Sequence, residues 1–412
     1  MTAGDRGARS EPVAAGFGPG VTGPGTDSAG PTVLHVTQAI DGGVRRYLVG
    51  ACADQVERGW PVAVACPAGS LAVELSTLGV RWLPWSATRS PGPSTVRETL
   101  TLSRIIAEVG PDVVHLHSSK AGLAGRLAVR GRRPTIFQPH GWSWLAVTGS
   151  LRRATLGWER LAARWSAVVV CVGHDEATAG VDARVDAPMR VVRNGVDRVR
   201  FAPVGESGRR RARRELDLPP GAPLVVCAGR VTRQKGQDVL LAAWPAVLAR
   251  CPDARLAVVG DGDLLPALRA AAPAGVRFVA PTENIAGWLA AADVVAVPSR
   301  WEGLPLVVLE AAATGRAVVG CAVDGLTESV TPETGALVPP EDAGALADAL
   351  AARLGHPELA AEEGRAAVRL AARFDQRDTL AELARLTRTL AGRPPAPDTD
   401  RDPLLSTEGS PT

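Results

Sequence analysis

The sequence predicts an α/β protein of two Rossmann-like, doubly wound parallel-sheet domains facing across a cleft. Three observations carry that prediction. From Thr32 onward, short β-branched runs alternate with helical patterns, the order that builds βαβ units and a parallel sheet. The 412 residues, 46% of them apolar, exceed one core of ordinary size and suit two. Periodicity breaks in mid-chain between Phe201 and Gly208, where Pro203, Gly205 and Gly208 gather. The resulting division is a tail over 1–30, a first domain over 31–203, a second over 204–375, a helix over 376–391 crossing back to the first, and a tail over 392–412.

In chain order, the first domain's strands are TVLHVT from Thr32, PVAVAC from Pro61, VRWLPW from Val80, DVVHLH from Asp112, PTIFQPH from Pro134, AVVVCV from Ala167 and MRVVRN from Met189. A basic helix around Arg209 to Leu216 opens the second domain. Its strands are LVVCAGR from Leu224, RLAVVGDG from Arg255, VRFVAP from Val276, VVAVPS from Val294, AVVGCAV from Ala317 and GALVPP from Gly335. Ligands of such sheets bind beyond the carboxyl ends of the strands, so two facing sheets share one interdomain cleft. Both tails are rich in Gly, Pro, Ser and Ala without periodicity and read as disordered. The formal G-x-G-x-x-G match Gly18-Pro19-Gly20-Val21-Thr22-Gly23 lies in the first tail, without the strand and helix a dinucleotide site needs, and is a decoy.

Composition excludes several classes. Six cysteines are scattered singly with no C-x-x-C, which points to thiols in a reducing cytosol. No apolar run approaches the ~20 residues of a membrane helix, and the N-terminus lacks the pattern of a signal peptide. The expectation is a cytoplasmic protein, peripheral at most to the inner membrane's cytoplasmic face. A net charge of +3 argues against nucleic acid as a partner. The first domain is the basic one: 21 Lys+Arg face 15 Asp+Glu up to Gly195, against 25 and 28 beyond.

Only two lysines stand among 44 arginines, and Lys235 is one of them. In Gly229-Arg230-Val231-Thr232-Arg233-Gln234-Lys235-Gly236, Arg230 ends a strand and Lys235 precedes a helix starting near Gln237. Two cations and helix N-terminal amides suit a diphosphate; a plain solvated loop is the alternative. Gly42 and Gly43, between the opening strand and a helix, can bring backbone amides to a phosphate in the same way. Glu302 and Glu310 flank Gly303, Leu304 and Pro305. Glu302 falls in a loop over the cleft and Glu310 in the second turn of an apolar helix. A carboxylate there is costly to bury without partners such as two sugar hydroxyls.

With these motifs and Arg193-Asn194-Gly195-Val196-Asp197, the chain resembles the retaining family 4 glycosyltransferases of the two-Rossmann GT-B fold, over most of Thr32 to Leu390. The resemblance implies that Arg230 and Lys235 hold the donor diphosphate and Glu310 the ribose hydroxyls. Glu302 and the amides of Gly303 and Leu304 read the donor sugar, and the Gly42–Gly43 loop closes over donor and acceptor. Segment Val323-Asp324-Gly325-Leu326-Thr327-Glu328 departs from the family's pattern of a glycine pair.

His140, at a strand end beside Gly141, is the better functional histidine, since the family often has one there facing the donor sugar. His117, Lys120 and Asn194 are acceptor-side candidates, and His115 reads as a core residue. No paired aspartates or ligand cluster mark a metal, so none is expected and no cofactor beyond the donor substrate. Resemblance to bacterial members building exopolysaccharide, capsule or lipid-linked glycans implies a nucleotide-sugar donor, with UDP favoured. The acceptor would be a glycan, lipid-linked or small-molecule hydroxyl. A sugar-nucleotide epimerase, a glycan phosphorylase and a non-catalytic nucleotide-sugar-binding protein are the alternatives. Leu151, Ala154, Trp158, Leu161 and Trp165 form one helical stripe beside Arg152, Arg153, Arg160 and Arg164; packing on the protein's own sheet is favoured over contact with an anionic membrane.

Overall fold

The thirteen β-branched runs form thirteen strands. In a computed structural model describing residues 30–88 and 90–392, they are β1 (Val33–Thr37), β2 (Val62–Cys66), β3 (Arg81–Pro84), β4 (Val113–His117), β5 (Thr135–Gln138), β6 (Val168–Cys171) and β7 (Met189–Val191) in the first lobe. In the second they are β8 (Leu224–Ala228), β9 (Arg255–Val259), β10 (Val276–Val279), β11 (Val294–Val297), β12 (Ala317–Cys321) and β13 (Gly335–Val338). The tails and the Gly18–Gly23 decoy lie outside the described residues, apart from Gly30 and Gly392.

Both sheets are wholly parallel, ordered β3-β2-β1-β4-β5-β6-β7 and β10-β9-β8-β11-β12-β13. The order reverses between β1 and β4 and between β8 and β11, where a doubly wound sheet opens its crevice. Each sheet is covered on both faces, which is why its strands read as continuous apolar runs. Alternate residues divide between the two layers. Leu34, Val36, Ala63 and Ala65 pack on one side, while Val33, Val62, Val64 and Cys66 pack on the other.

The helix Gln376–Leu390 returns to the first lobe. Leu383 packs among Tyr47, Ala51 and Val192, and Thr379 Oγ1 donates to Arg193 O at 2.8 Å. A parallel bridge between Val196 and Asp375 guides the crossing. Five of the six cysteines are buried and all six are free. No helix among the described residues is long and apolar enough to cross a membrane.

The apolar stripe of the helix Gly149–Ala162 packs on the first lobe only in part: Trp158 and Trp165 are half-buried, with the Trp158 ring centroid 5.6 Å from the Arg126 guanidinium. Leu151 is 59% and Leu161 46% exposed, and the buried residues are Glu159 and Ala162. Arg126 causes the turn. It is sealed inside the lobe with its guanidinium 3.9 Å from the Phe137 ring centroid, and it needs a carboxylate there. Glu159 supplies one at 2.7 Å, so the helix turns Glu159 inward and leaves the Leu151 and Leu161 positions of the stripe in solvent.

Candidate active site

Strand ends and helix starts from both lobes converge on a cavity of about 170 Å³. Its lining brings together nine of the residues singled out from sequence: Gly42, Gly43, His140, Asn194, Arg230, Lys235, Glu302, Gly303 and Leu304. Gly42 has φ +67 at the start of the helix Gly42–Glu57, and a Cβ there would lie 4.0 Å from Arg230 Cδ. The first turn of this helix therefore stands close against the Arg230 side chain of the second lobe.

The cationic side is built tightly. Lys235 closes a single turn of 3₁₀ helix, and Gly236, at φ +65, starts the helix Gln237–Arg250. A side chain at Gly236 would strike Pro298 O at 1.9 Å, so only glycine lets the helix N-terminus sit against the end of β11. Lys235 Nζ lies 2.5 Å from Glu302 Oε1, which also accepts from Ser299 Oγ at 2.6 Å. The loop carrying Glu302 is fixed from behind by Arg300, which donates to both oxygens of Asp238 at 2.7 and 2.8 Å and pairs with Glu341. Arg300 escaped the sequence reading, although it stands two residues before Glu302. Asn194 Nδ2 donates to Leu304 O at 2.7 Å and so ties the lobes beside the cavity.

Glu310 lies in an adjoining cavity of about 190 Å³, separated from the first by Arg46, Tyr47 and Leu306, which line both. Arg46 pairs with Glu310 Oε1 across the lobes, while the buried Oε2 has no partner among the described residues. Arg46 and Tyr47 are site residues that sequence reasoning missed. The only signal was their position just after the glycine pair. The divergent segment Val323–Glu328 also joins the lobes. Asp175 accepts from Gly325 N and Thr327 Oγ1 at 3.0 and 2.6 Å, and Glu328 Oε1 accepts from Asp175 N at 2.8 Å.

His140 has φ +53, a left-handed conformation that costs a non-glycine residue about 1 kcal/mol or more. Glu176 holds the turn. Its carboxylate accepts from Gly141 N at 2.6 Å and Val172 N at 2.7 Å. Burial pushes the Glu176 carboxyl up to about 7, against the pull of those two amides and with a further push from Glu328. Burial lowers the imidazole of His140 to about 3, so it meets the cavity neutral.

Two acceptor-side candidates do not reach the cleft. His117 is fully buried behind His140, its Nδ1 3.1 Å from His140 Nε2, because alternation along β4 points it into the lobe. Lys120 is 2% exposed and spent on an internal ion pair with Glu98 at 2.6 Å, with Ser90 O and Thr95 Oγ1 as further partners. An ammonium so enclosed holds the loop before the helix Ser94–Val109 to the helix Ser118–Val129.

Comparison with known proteins bears on both lobes. A family described as Glycosyltransferase Family 4 matches residues 41–200, and one described as Glycosyl transferases group 1 matches residues 222–356. A GDP-mannose-dependent alpha-(1-6)-phosphatidylinositol monomannoside mannosyltransferase of Mycolicibacterium smegmatis is 31% identical over 78% of this chain and 88% of its own length. The lipopolysaccharide core biosynthesis mannosyltransferase LpsB of Rhizobium meliloti is 33% identical over 55% of this chain and 66% of its own. A UDP-Gal:alpha-D-GlcNAc-diphosphoundecaprenol alpha-1,3-galactosyltransferase of Escherichia coli is 27% identical, over 56% and 62%. With these last two the match spans less than two thirds of the relative. Among solved structures, Anabaena HepE with UDP-glucose superposes with a TM-score of 0.75 at 23% identity, covering 87% of this chain and all (100%) of that one. A sucrose-phosphate synthase from Thermosynechococcus elongatus gives 0.74 at 22%, covering 88% and 99%. Both speak for the fold.

Proposed function

The chain belongs to the family 4 glycosyltransferases, and from that premise we propose that it moves a sugar from a nucleotide-diphosphate-sugar to a hydroxyl acceptor with retention at the anomeric carbon, in cell-surface glycan synthesis. The observation that carries this reading is the meeting of Arg230, Lys235 and the N-terminus of the helix Gln237–Arg250 with Gly42 and Gly43 around one cavity. Two cations and two sets of helix amides match a diphosphate without a metal. The partnerless Oε2 of Glu310 suits ribose hydroxyls in the adjoining cavity. Loss of activity on chelation of divalent ions would contradict the metal-free part.

In this reading the diphosphate lies across Arg230 and Lys235, and the sugar extends toward His140 and the amides of Gly303 and Leu304. The anomeric carbon–oxygen bond to the diphosphate breaks as the acceptor oxygen bonds on the same face. The acceptor's proton passes to the leaving phosphate oxygen. Arg230 and Lys235 hold the charge that grows on that leaving group. Neutral His140 orients a sugar hydroxyl.

The proposed donor is a UDP-sugar, in keeping with the UDP-glucose bound by HepE and the UDP-Gal named for the Escherichia coli relative. GDP-mannose, named for the Mycolicibacterium relative, is the second reading. A thermal-shift screen of UDP, GDP, ADP and their sugars decides between them, followed by nucleotide-release assays and NMR of the product anomer. Stabilisation by none at millimolar concentration, about the weak limit of useful affinity, would sink the proposal. Turnover without an acceptor would favour an epimerase, and binding without turnover a sensor.

Peripheral membrane contact is part of the proposal. Exposed Leu151 and Leu161 lie on the helix Gly149–Ala162, flanked by exposed Arg152, Arg153, Arg160 and Arg164, a pattern that suits an anionic surface. Leu151→Asp/Leu161→Asp should reduce co-sedimentation with vesicles containing anionic phospholipid by roughly tenfold while leaving nucleotide binding unchanged. Equal sedimentation of variant and wild type would remove the membrane from the proposal.

A further inference from the structure

Behind His140 the first lobe holds more histidine than packing requires. His35 on β1 and His115 and His117 on β4 are fully buried. The register that sets His35 opposite His115 and Thr37 opposite His117 stacks the His35 and His117 rings at 5.2 Å. The His117 and His140 rings stack at 5.4 Å. Their nitrogens form one line. Gln55 Oε1 is 2.9 Å from His35 Nε2, His35 Nδ1 is 2.9 Å from His117 Nε2, and His117 Nδ1 is 3.1 Å from His140 Nε2.

A neutral imidazole carries one N–H, and each nitrogen-to-nitrogen contact needs one N–H and one bare nitrogen. The three rings therefore share a single polarity, and whichever end is fixed fixes them all. Burial keeps His35 down at about 4 and His140 at about 3, with His117 well below its ordinary value, so all three stay neutral. With the Gln55 carbonyl oxygen as acceptor, His35 must donate from Nε2. His117 then donates from Nε2 to His35, and His140 donates from Nε2 to His117. The bond to His117 uses Nε2 of His140, which leaves Nδ1 as its remaining nitrogen, and the residue lines the active-site cavity.

The geometry points to Gln55, His35 and His117 as positioning residues that lock His140 in its Nε2–H tautomer, so that it offers a bare Nδ1 to a substrate hydroxyl. The inference rests on the reading of His140 as a group facing the donor sugar. The chain ends in an amide, which cannot take up a proton, so it sets a tautomer and does not carry protons away. A metal is the competing use, since His35, His115 and His117 each offer a nitrogen within a shared 4.8 Å. Two of these nitrogens are already bonded to each other, and no carboxylate stands among the partners to balance a buried dication.

The test is 15N NMR of histidine-labelled protein, with nucleotide release from the donor measured in parallel. Wild type should show His140 as a single tautomer, Nε2 protonated. His35→Phe removes the acceptor for His117 Nε2–H. An orphaned buried N–H is worse than a bare nitrogen, so His117 should reprotonate at Nδ1 and invert His140. Gln55→Leu, a substitution that keeps volume and leaves no polar stub, orphans the buried His35 Nε2–H by the same rule, so it should invert the whole line as well and turn His140 to Nδ1–H. Either variant should lower kcat about tenfold or more, and neither should shift the pH profile. A wild-type His140 protonated at Nδ1, or a Gln55→Leu spectrum that keeps His140 protonated at Nε2, overturns the lock. One zinc per purified chain replaces it with a metal site. Full activity in His140→Ala would instead remove the catalytic reading of His140, whatever the spectra show.

Discussion

Acidification below the ordinary histidine value of about 6.5 should destabilise the protein progressively. His35, His115 and His117 are sealed in the first lobe, where burial holds each ring well below the ordinary 6.5. A depressed histidine favours the fold above the unfolded value, and that contribution drains away as pH falls below 6.5, because only the unfolded chain takes up the proton. His140, lowered to about 3 beside the cavity, adds to the same loss. Glu176, raised to about 7, works the other way. Its stabilising contribution is complete below 4.5 and is lost as pH climbs through 7, so acidification returns about 3 kcal/mol. Four depressed rings outweigh one raised carboxyl, so the net effect of acid is a loss of stability. Circular dichroism against pH measures it, and His115→Phe should move the acid midpoint downward. An unmoved midpoint would mean the rings do not stay neutral in the fold.

Lys235→Ala should lower kcat/KM by about 10²–10³, the usual effect of removing one preorganised donor from a charge-developing site. It should also destabilise the second lobe by about 2–3 kcal/mol, since Glu302, 6% exposed, would keep only the Ser299 hydroxyl as partner. Lys235→Arg should recover little, because a planar fork does not reproduce a point charge 2.5 Å from one carboxylate oxygen. The donor's thermal shift should vanish with Lys235→Ala. Activity within threefold of wild type would remove Lys235 from the diphosphate site.

What the sequence disclosed and what it withheld follow one physical division. Strands buried on both faces must be written as apolar runs, so all thirteen were legible; Gly208, read as part of the break between the lobes, lies instead inside the helix Glu206–Glu215. The meeting of Gly42, Gly43, Arg230, Lys235, Glu302, Gly303 and Leu304 around one cavity was legible because each is marked locally: a glycine pair, a cation before a helix, a carboxylate beside glycine. Lys120 was misread because its partner, Glu98, belongs to a different helix and nothing near Lys120 announces it. The exposure of Leu151 and Leu161 on the helix Gly149–Ala162 was missed for the same reason. The helix's hydrophobic period is real, but the orientation is chosen by Glu159 answering Arg126 on another element. The histidine line was the least visible. His115 and His117 alternate openly along one strand, yet only the register of β1 on β4 and the left-handed turn at His140 bring His35 and His140 to them.

The return of the helix Gln376–Leu390 to the first lobe has a consequence for biosynthesis. Tyr47, Ala51 and Val192 pack against Leu383, so that flank of the first sheet waits uncovered while the ribosome makes the entire second lobe. At about 5–20 residues per second the wait lasts some tens of seconds. During it the nascent first lobe presents a greasy flank to the cell and offers a holding chaperone a timed target. A messenger that pauses translation within the second lobe would lengthen that exposure and lower the yield of finished enzyme without altering a single residue.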